Sequence, residues 1–184
     1  MNTNNPPAQA AAPALPLGRL AASLAEALAE PLMAGPDVAE AVINLRDLAG
    51  MDFLARAPSG HELIMDTDPG AGGADRGFHP VELLLVALAG CTAMDVLSIL
   101  RKKRQVITDY RVRVAGVQQA QHPRVYTHIV VQHIVSGPAV DPVAVARSVE
   151  LSATRYCPVN AMLAQACQVT HQYRIVPTAG PGAL

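Results

Sequence analysis

The order of patterns along the chain predicts an α+β fold rather than a parallel α/β sheet. Short alternating runs come first, then one long apolar helix, then two longer alternating runs, a broken helix and a last short strand. Strands and helices are grouped, not interleaved one for one. The composition agrees with a packed domain: 51% of the 184 residues are hydrophobic and only 16% are charged, against roughly 25% charged in an average soluble domain. A disordered chain would show the opposite balance.

The elements follow in order. Residues 1–15 are rich in Asn, Pro and Ala and cannot bury enough to order themselves. Leu17, Leu20, Leu24 and Leu28 then recur at helical spacing, and Pro31 and Gly35 close that stripe. This reads as an appended helix packed on the body, with a partner-docking helix as the alternative. Residues 1–36 are therefore an N-terminal extension, residues 37–177 a domain, and 178–184 a tail. AEAVINLRD, MDFLARA and HELIMDT read as a strand meander separated by turn residues. The glycine-rich DPGAGGADRGFHP is a loop. It lacks the lysine and the spacing of a phosphate loop.

HPVELLLVALAGCTAMDVLSILRKKRQ is the most informative segment. Pro80 suits a first helical turn. Glu82 complements the positive end of the helix dipole, and Arg101 to Arg104 the negative end. The middle is apolar or small all round, as expected of a core helix. About 25 residues would span about 37 Å, long for so small a domain, which suggests a core shared with a second subunit. DYRVRVAGVQQ and RVYTHIVVQHIVSG alternate with period two and read as paired strands turning at HPR. Asp141 and Pro142 are an N-cap and first helical residue for DPVAVARSVELSATRYC. Pro158 breaks that helix, NAMLAQAC resumes it, and HQYRIV is the final strand.

Several function classes are excluded by charge and spacing. A net charge of −1 argues against a broad nucleic-acid surface. The RKKR run has no interleaved aromatics and reads as a basic helix end. Three cysteines make no disulfide scaffold, and neither they nor the six histidines have zinc spacing, so no metal is expected. No run of about 18 uninterrupted apolar residues marks a membrane span, and the N-terminus lacks a basic leader. The expectation is a soluble, cytoplasmic protein with neither nucleic acid nor membrane as partner.

Cys91 lies about three turns into the long helix, and Cys157 stands directly before Pro158. Taken singly, a buried Cys is most often a small hydrophobe. The pattern around them carries more. HPVELLLVALAGCTAMDVLSIL resembles the long-helix motif of the OsmC/Ohr family, the osmotically induced and organic hydroperoxide resistance proteins. That motif has a Pro, an apolar run and a Cys eleven residues after the Pro, a spacing Pro80 and Cys91 keep. TRYCPVNAML resembles the family's second motif, a Cys-Pro pair at a helix break. The resemblance covers about Val38 to Val176, and CTAMDV is most similar to the YhfA-like branch.

The resemblance implies antiparallel sheets wrapped around two long central helices in an intertwined homodimer. It also implies a thiol-dependent peroxidase that acts on a small-molecule organic hydroperoxide in oxidative-stress defence and needs no cofactor. Cys91 would attack the peroxide as a thiolate, Cys157 would resolve the sulfenic acid as a disulfide, and a dithiol reductant would reset the pair. In the peroxidase branch a Glu directly follows the motif Pro and holds an Arg on the reactive thiol. Here Val81 takes that place, and Glu82 follows it. Nine residues from Cys91, Glu82 lies about 13 Å along a straight helix and on its opposite side, so its dipole role is the better reading. Arg46 is nearest by position to the family's Arg. Arg56 and Arg155 read as exposed cations. Asp95, one turn after Cys91, would raise a neighbouring thiol's pKa unless a cation intervenes, and is expected to be satisfied by an arginine or a backbone group. Cys167 is expected to pack. An apolar pocket of Leu84, Leu88 and Met94 would favour a bulky hydroperoxide. The alternative is a non-peroxidase dimer of the same fold that binds a small apolar or thiol-reactive ligand.

Overall fold

A computed structural model describes residues 39–46 and 49–178. The expected N-terminal helix and almost all of the expected tail lie outside these residues.

The meander forms as the alternation requires. β1 (Val42–Leu45), β2 (Phe53–Arg56) and β3 (Glu62–Met65) pair antiparallel in that order. The glycine-rich loop that follows is organised by Asp66. Its carboxylate accepts from the backbone N–H groups of Thr67, Ala74 and Arg76 at 2.8, 3.2 and 3.0 Å. The donated hydrogen bonds from Arg76 and Thr67 hold that carboxyl below its usual pKa.

α1 spans Glu82–Lys102, 21 residues. It is shorter than the sequence suggests at both ends. Pro80 belongs to the turn before the helix and not to its first turn, because the chain from His79 to Glu82 closes as a turn through Glu82 N–H to His79 O at 2.9 Å. Glu82 Oε2 reaches back to accept from His79 N–H at 3.1 Å, which caps the entry. Its eighteen-residue window of mean hydropathy 2.2 is long and apolar enough, by length and composition, to cross a membrane. Gly90, Thr92 and Asp95 break the uninterrupted apolar run, which is why a count of consecutive residues passes it by. Here α1 packs on a sheet and on a second helix. Leu88, Thr92, Val96 and Leu100 form one buried stripe at four-residue spacing.

β4 (Asp109–Gln118) and β5 (Tyr126–Gly137) form the expected antiparallel pair, from Asp109 opposite Ser136 to Gln118 opposite Tyr126. Alternation sends Ile129, Val131, His133 and Val135 to the covered face. α2 (Pro142–Leu151) begins as read, with Asp141 Oδ1 accepting from Val143 N–H at 2.9 Å. A π-helical turn over Ser152–Tyr156 follows, then α3 (Pro158–Leu163) and β6 (Gln168–Pro177).

β6 pairs with β5 in parallel, Val131 beside His171 and His133 beside Tyr173. The sequence reading expected no parallel pairing. The helices between β5 and β6 form a crossover that returns the chain to the same end of the sheet, and a crossover produces parallel neighbours. The sheet order is β4-β5-β6. Two apolar clusters lie between it and the helices. One joins Val96 and Leu100 to Val135, Ala144, Val145 and Val149; the other joins Leu88 to Ile129, Val131 and Cys157. Each fully buried Leu or Val there contributes about 1.5–3 kcal/mol.

Candidate functional site

Pro158 sets the geometry. A residue before proline is driven out of the helical region, and Cys157 is extended, with φ −77° and ψ 104°. The backbone turns at that point and directs Sγ to α1. Cys91 is on α1, half-buried, and Cys157 is buried at the break. Their sulfurs lie 2.7 Å apart, although 66 residues separate them in sequence. Both thiols are free. A disulfide closes at about 2.0 Å, so the two sulfurs stand within a short approach of bonding distance.

The two sulfurs are not equivalent. The Cys157 thiol donates to Cys91 Sγ, and Cys157 Sγ accepts from Asn160 N–H at 3.3 Å. Burial, then the hydrogen bond to Cys91, push the Cys157 thiol up to about 12; the charges of Cys91 and Asp95 add to this. Cys157 is therefore held protonated at neutral pH.

Among the described residues, Asp95 is met by a serine hydroxyl, where the sequence suggests an arginine or a backbone group. Its Oδ2 accepts from Ser152 Oγ at 3.0 Å, and Ser152 Oγ lies 2.9 Å from Thr92 Oγ1. Ser152 continues the inward face of α2 four residues after the buried Ser148, and so it meets α1. Among the described residues, Cys91, Asp95 and Cys157 are the group whose ligand-type atoms could share a metal ion, all within 4.8 Å of one another. Two thiolates on one zinc ion stand about 3.7 Å apart, so these sulfurs would first have to separate.

Beyond Cys157 runs a polar chain that sequence reasoning missed. Asn160 Oδ1 accepts from His171 Nε2 at 2.9 Å, and Asn160 Nδ2 donates to Ala153 O at 2.7 Å. His171 stacks on His133, with ring centroids 6.0 Å apart, and His133 Nδ1 shares a 2.7 Å hydrogen bond with the Tyr110 hydroxyl. Burial lowers both histidines, His133 to about 4, so both are neutral near pH 7. His133 Nε2 and His171 Nδ1 are buried without a partner.

Other sequence candidates lie elsewhere. Arg46 pairs with Asp52 at 2.9 Å on the β1–β2 connection. Glu82 caps α1, nine residues and about 13 Å along the helix from Cys91. Arg56 is exposed beside Glu62, and Arg155 lies over the Tyr156 ring at 5.6 Å. Cys167 packs in the same apolar cluster as Cys157, but it follows α3 rather than sharing a helix with Cys157. Leu84, Leu88 and Met94 do not line one pocket. Leu88 is fully buried, whereas Met94, on the opposite side of α1, is 75% exposed. Leu84 instead joins Val81, Val125, Tyr126, Leu163 and Cys167 around an apolar cleft of about 310 Å³.

The family model for OsmC-like protein matches residues 72–172, which include both cysteines. Protein YhfA of Escherichia coli K12 is 42% identical over 127 residues, covering 69% of this chain and 92% of that protein. The chain belongs to the OsmC-like family. Within that family it falls in the YhfA-like branch. A crystal structure of a hypothetical protein from Aquifex aeolicus VF5 superposes with a TM-score of 0.67 at 28% identity, over 77% of this chain and 98% of that one. A crystal structure of an organic hydroperoxide resistance protein OsmC from Legionella pneumophila superposes with a TM-score of 0.58 at 12% identity, over 76% and 98%. That likeness establishes the shared OsmC/Ohr fold.

Proposed function

We propose that this OsmC-like protein is a thiol-dependent peroxidase that reduces organic hydroperoxides through Cys91 and Cys157. The 2.7 Å approach of these two free thiols carries the reading. Family membership supports a redox or stress-response role. Cys91, the more accessible thiol, attacks the peroxide O–O bond as thiolate, an alcohol leaves, and Cys91 becomes a sulfenic acid. Cys157 then closes the disulfide with loss of water, and a dithiol reductant restores both thiols. Free cysteines suit a reducing compartment such as the cytoplasm.

A homodimer belongs to the same proposal. Leu83, Ala87, Gly90, Met94 and Leu97 share the side of α1 opposite its buried stripe, and none of them is buried within the chain. Apolar and small residues along one helix face suit close packing on a second helix. Within the single chain, Arg46 and Glu82 are each engaged away from the sulfurs.

A second reading is favoured by one observation. Asp95 stands beside the thiols, and no ion pair is made to it among the described residues. A carboxylate without a counter-cation opposes thiolate formation. The dimer would then bind a small apolar or thiol-reactive ligand rather than turn over peroxide.

Single-turnover oxidation separates the two. The reduced protein receives one equivalent of cumene hydroperoxide, and free thiols and intact mass are followed with time. Rapid loss of two thiols, abolished by either Cys91→Ser or Cys157→Ser, is the expected result. Thiols that persist for hours would transfer the assignment to the binding reading.

A further inference from the structure

The disulfide-forming step has a proton to move. The Cys157 thiol is held protonated and must lose its proton as it attacks. The oxygen leaving Cys91 must gain one to depart as water. Among the described residues, Cys157 Sγ meets the Asn160 N–H, the Cys91 sulfur and, within 4.8 Å, the Asp95 carboxylate. The first is a donor. The second is the atom under attack. Among the described residues, Asp95 is the base placed to serve both sulfurs, with a carboxylate oxygen within 4.8 Å of each, a gap one water spans.

Its setting holds it there. Ser152 donates to Oδ2, and Thr92 fixes Ser152 from one turn earlier on α1. Thr92 and Ser152 are both fully buried. Asp95 also borders a cleft of about 310 Å³ with Ser98, Ile99, Lys102, Leu151 and Tyr156, which gives water a route to the carboxylate.

We propose that Asp95 is the proton carrier of disulfide closure, taking the S–H proton of Cys157 and delivering it to the oxygen that leaves Cys91. The balance is complete. The Cys157 Sγ–Cys91 Sγ bond forms, and the Cys91 S–O bond breaks with its electron pair going to oxygen. The proton passes from Cys157 through Asp95 to that oxygen, and one water departs. Cys157 is oxidised and the Cys91 sulfenic acid reduced, both to the disulfide level, with no outside electrons. The sulfenic acid is supplied by a hydroperoxide, so the inference rests on the peroxidase reading.

The test compares wild type, Asp95→Asn and Asp95→Glu in the full chain, each carrying Cys167→Ser to silence the third thiol. Closure is timed in two ways. After one equivalent of cumene hydroperoxide, Cys91 sulfenic acid is trapped with dimedone and weighed intact. Separately, Ellman's reagent forms a mixed disulfide at Cys91, and release of the second thionitrobenzoate reports attack by Cys157. The expected result is closure slowed at least about tenfold in Asp95→Asn by both readouts, with dimedone adduct accumulating, and restored within a few-fold in Asp95→Glu.

A merely electrostatic carboxylate predicts the opposite sign. Removing its charge would ease deprotonation of Cys157 and speed closure, so closure as fast as or faster than wild type in Asp95→Asn overturns the proposal. Equal slowing in Asp95→Asn and Asp95→Glu, with altered circular dichroism, also overturns it in favour of a structural role. If hydroperoxide oxidises none of the proteins, the peroxidase reading fails by itself, and the Ellman closure rates still decide whether Asp95 takes the Cys157 proton.

Discussion

Asn160 Oδ1 accepts a 2.9 Å hydrogen bond from His171 Nε2, and this contact ties the last strand to the helix break that carries Cys157. Asn160 is 6% exposed and works in three directions at once. Its backbone N–H meets the Cys157 sulfur, its amide nitrogen meets Ala153 O in the π-helical turn, and its amide oxygen meets β6. The position of Cys157 therefore depends on a side chain that is neither a thiol nor charged.

Replacement of Asn160 tests that dependence. Asn160→Ala leaves His171 Nε2 and Ala153 O, both part-buried, without their partner, and an orphan that water does not reach costs about 1–3 kcal/mol. Urea denaturation should show a lower midpoint with an unchanged slope, and the Cys91–Cys157 disulfide should form more slowly. Asn160→Asp keeps the acceptor for His171 but buries a carboxylate and turns one of its oxygens on Ala153 O, so it should lose at least as much stability as Asn160→Ala. An unshifted midpoint in Asn160→Ala would remove the clamp from the account.

Two histidines, His133 fully buried and His171 partly, give the fold an acid limit. His133 is held to about 4, first by burial and then by the nearby His171. Its neighbours are the Tyr110 hydroxyl from β4 and the His171 ring from β6, neither of which supplies a negative charge at neutral pH. In the unfolded chain this histidine titrates near 6.5. Between those values the unfolded state binds the proton and the folded state does not, so stability falls as pH drops from about 6.5 to about 4 and levels below. The loss from this one residue is on the order of 3 kcal/mol. Denaturant midpoints across that window should slope downward with acid, and His133→Gln should flatten much of the slope. His171, lowered by burial as well, adds to the slope in the same direction.

What was legible in the sequence divides along physical lines. Period-two alternation places residues on alternate faces, so spacing alone puts His128 and His133 on opposite sides of a strand without saying which side is covered. It gives no strand neighbours. That His171 stands beside Val131, close enough to stack on His133, follows from the parallel register of β6 on β5, which is set by the length of the crossover. Cys157 was legible because Pro158 dictates a break wherever it falls. Ser152 was not, because its partner Asp95 lies 57 residues away on an element whose rotation is fixed only by packing. The Leu84, Leu88 and Met94 pocket failed for a related reason. An apolar residue on a helix is equally compatible with the core, a cleft and an exposed face.

The exposed side of α1 makes the last prediction. Met94 lies directly opposite the stripe of Leu88, Thr92, Val96 and Leu100 and is 75% exposed in the single chain. A Cβ added at Gly90, on the same side, meets nothing within 4 Å, so the helix surface is open there. Under the homodimer proposal this face packs on the same face of a second copy. Met94→Asp would place two like charges in that contact and bury them unpaired, while touching nothing in its own chain's core. Sedimentation velocity should show a dimer for wild type and a monomer for Met94→Asp. The melting temperature of wild type should rise with protein concentration, and that of Met94→Asp should not. Because a mutation on a solvent-exposed face is worth within about 0.5 kcal/mol, a variant that stays dimeric with unchanged stability would place the subunit contact elsewhere on the molecule.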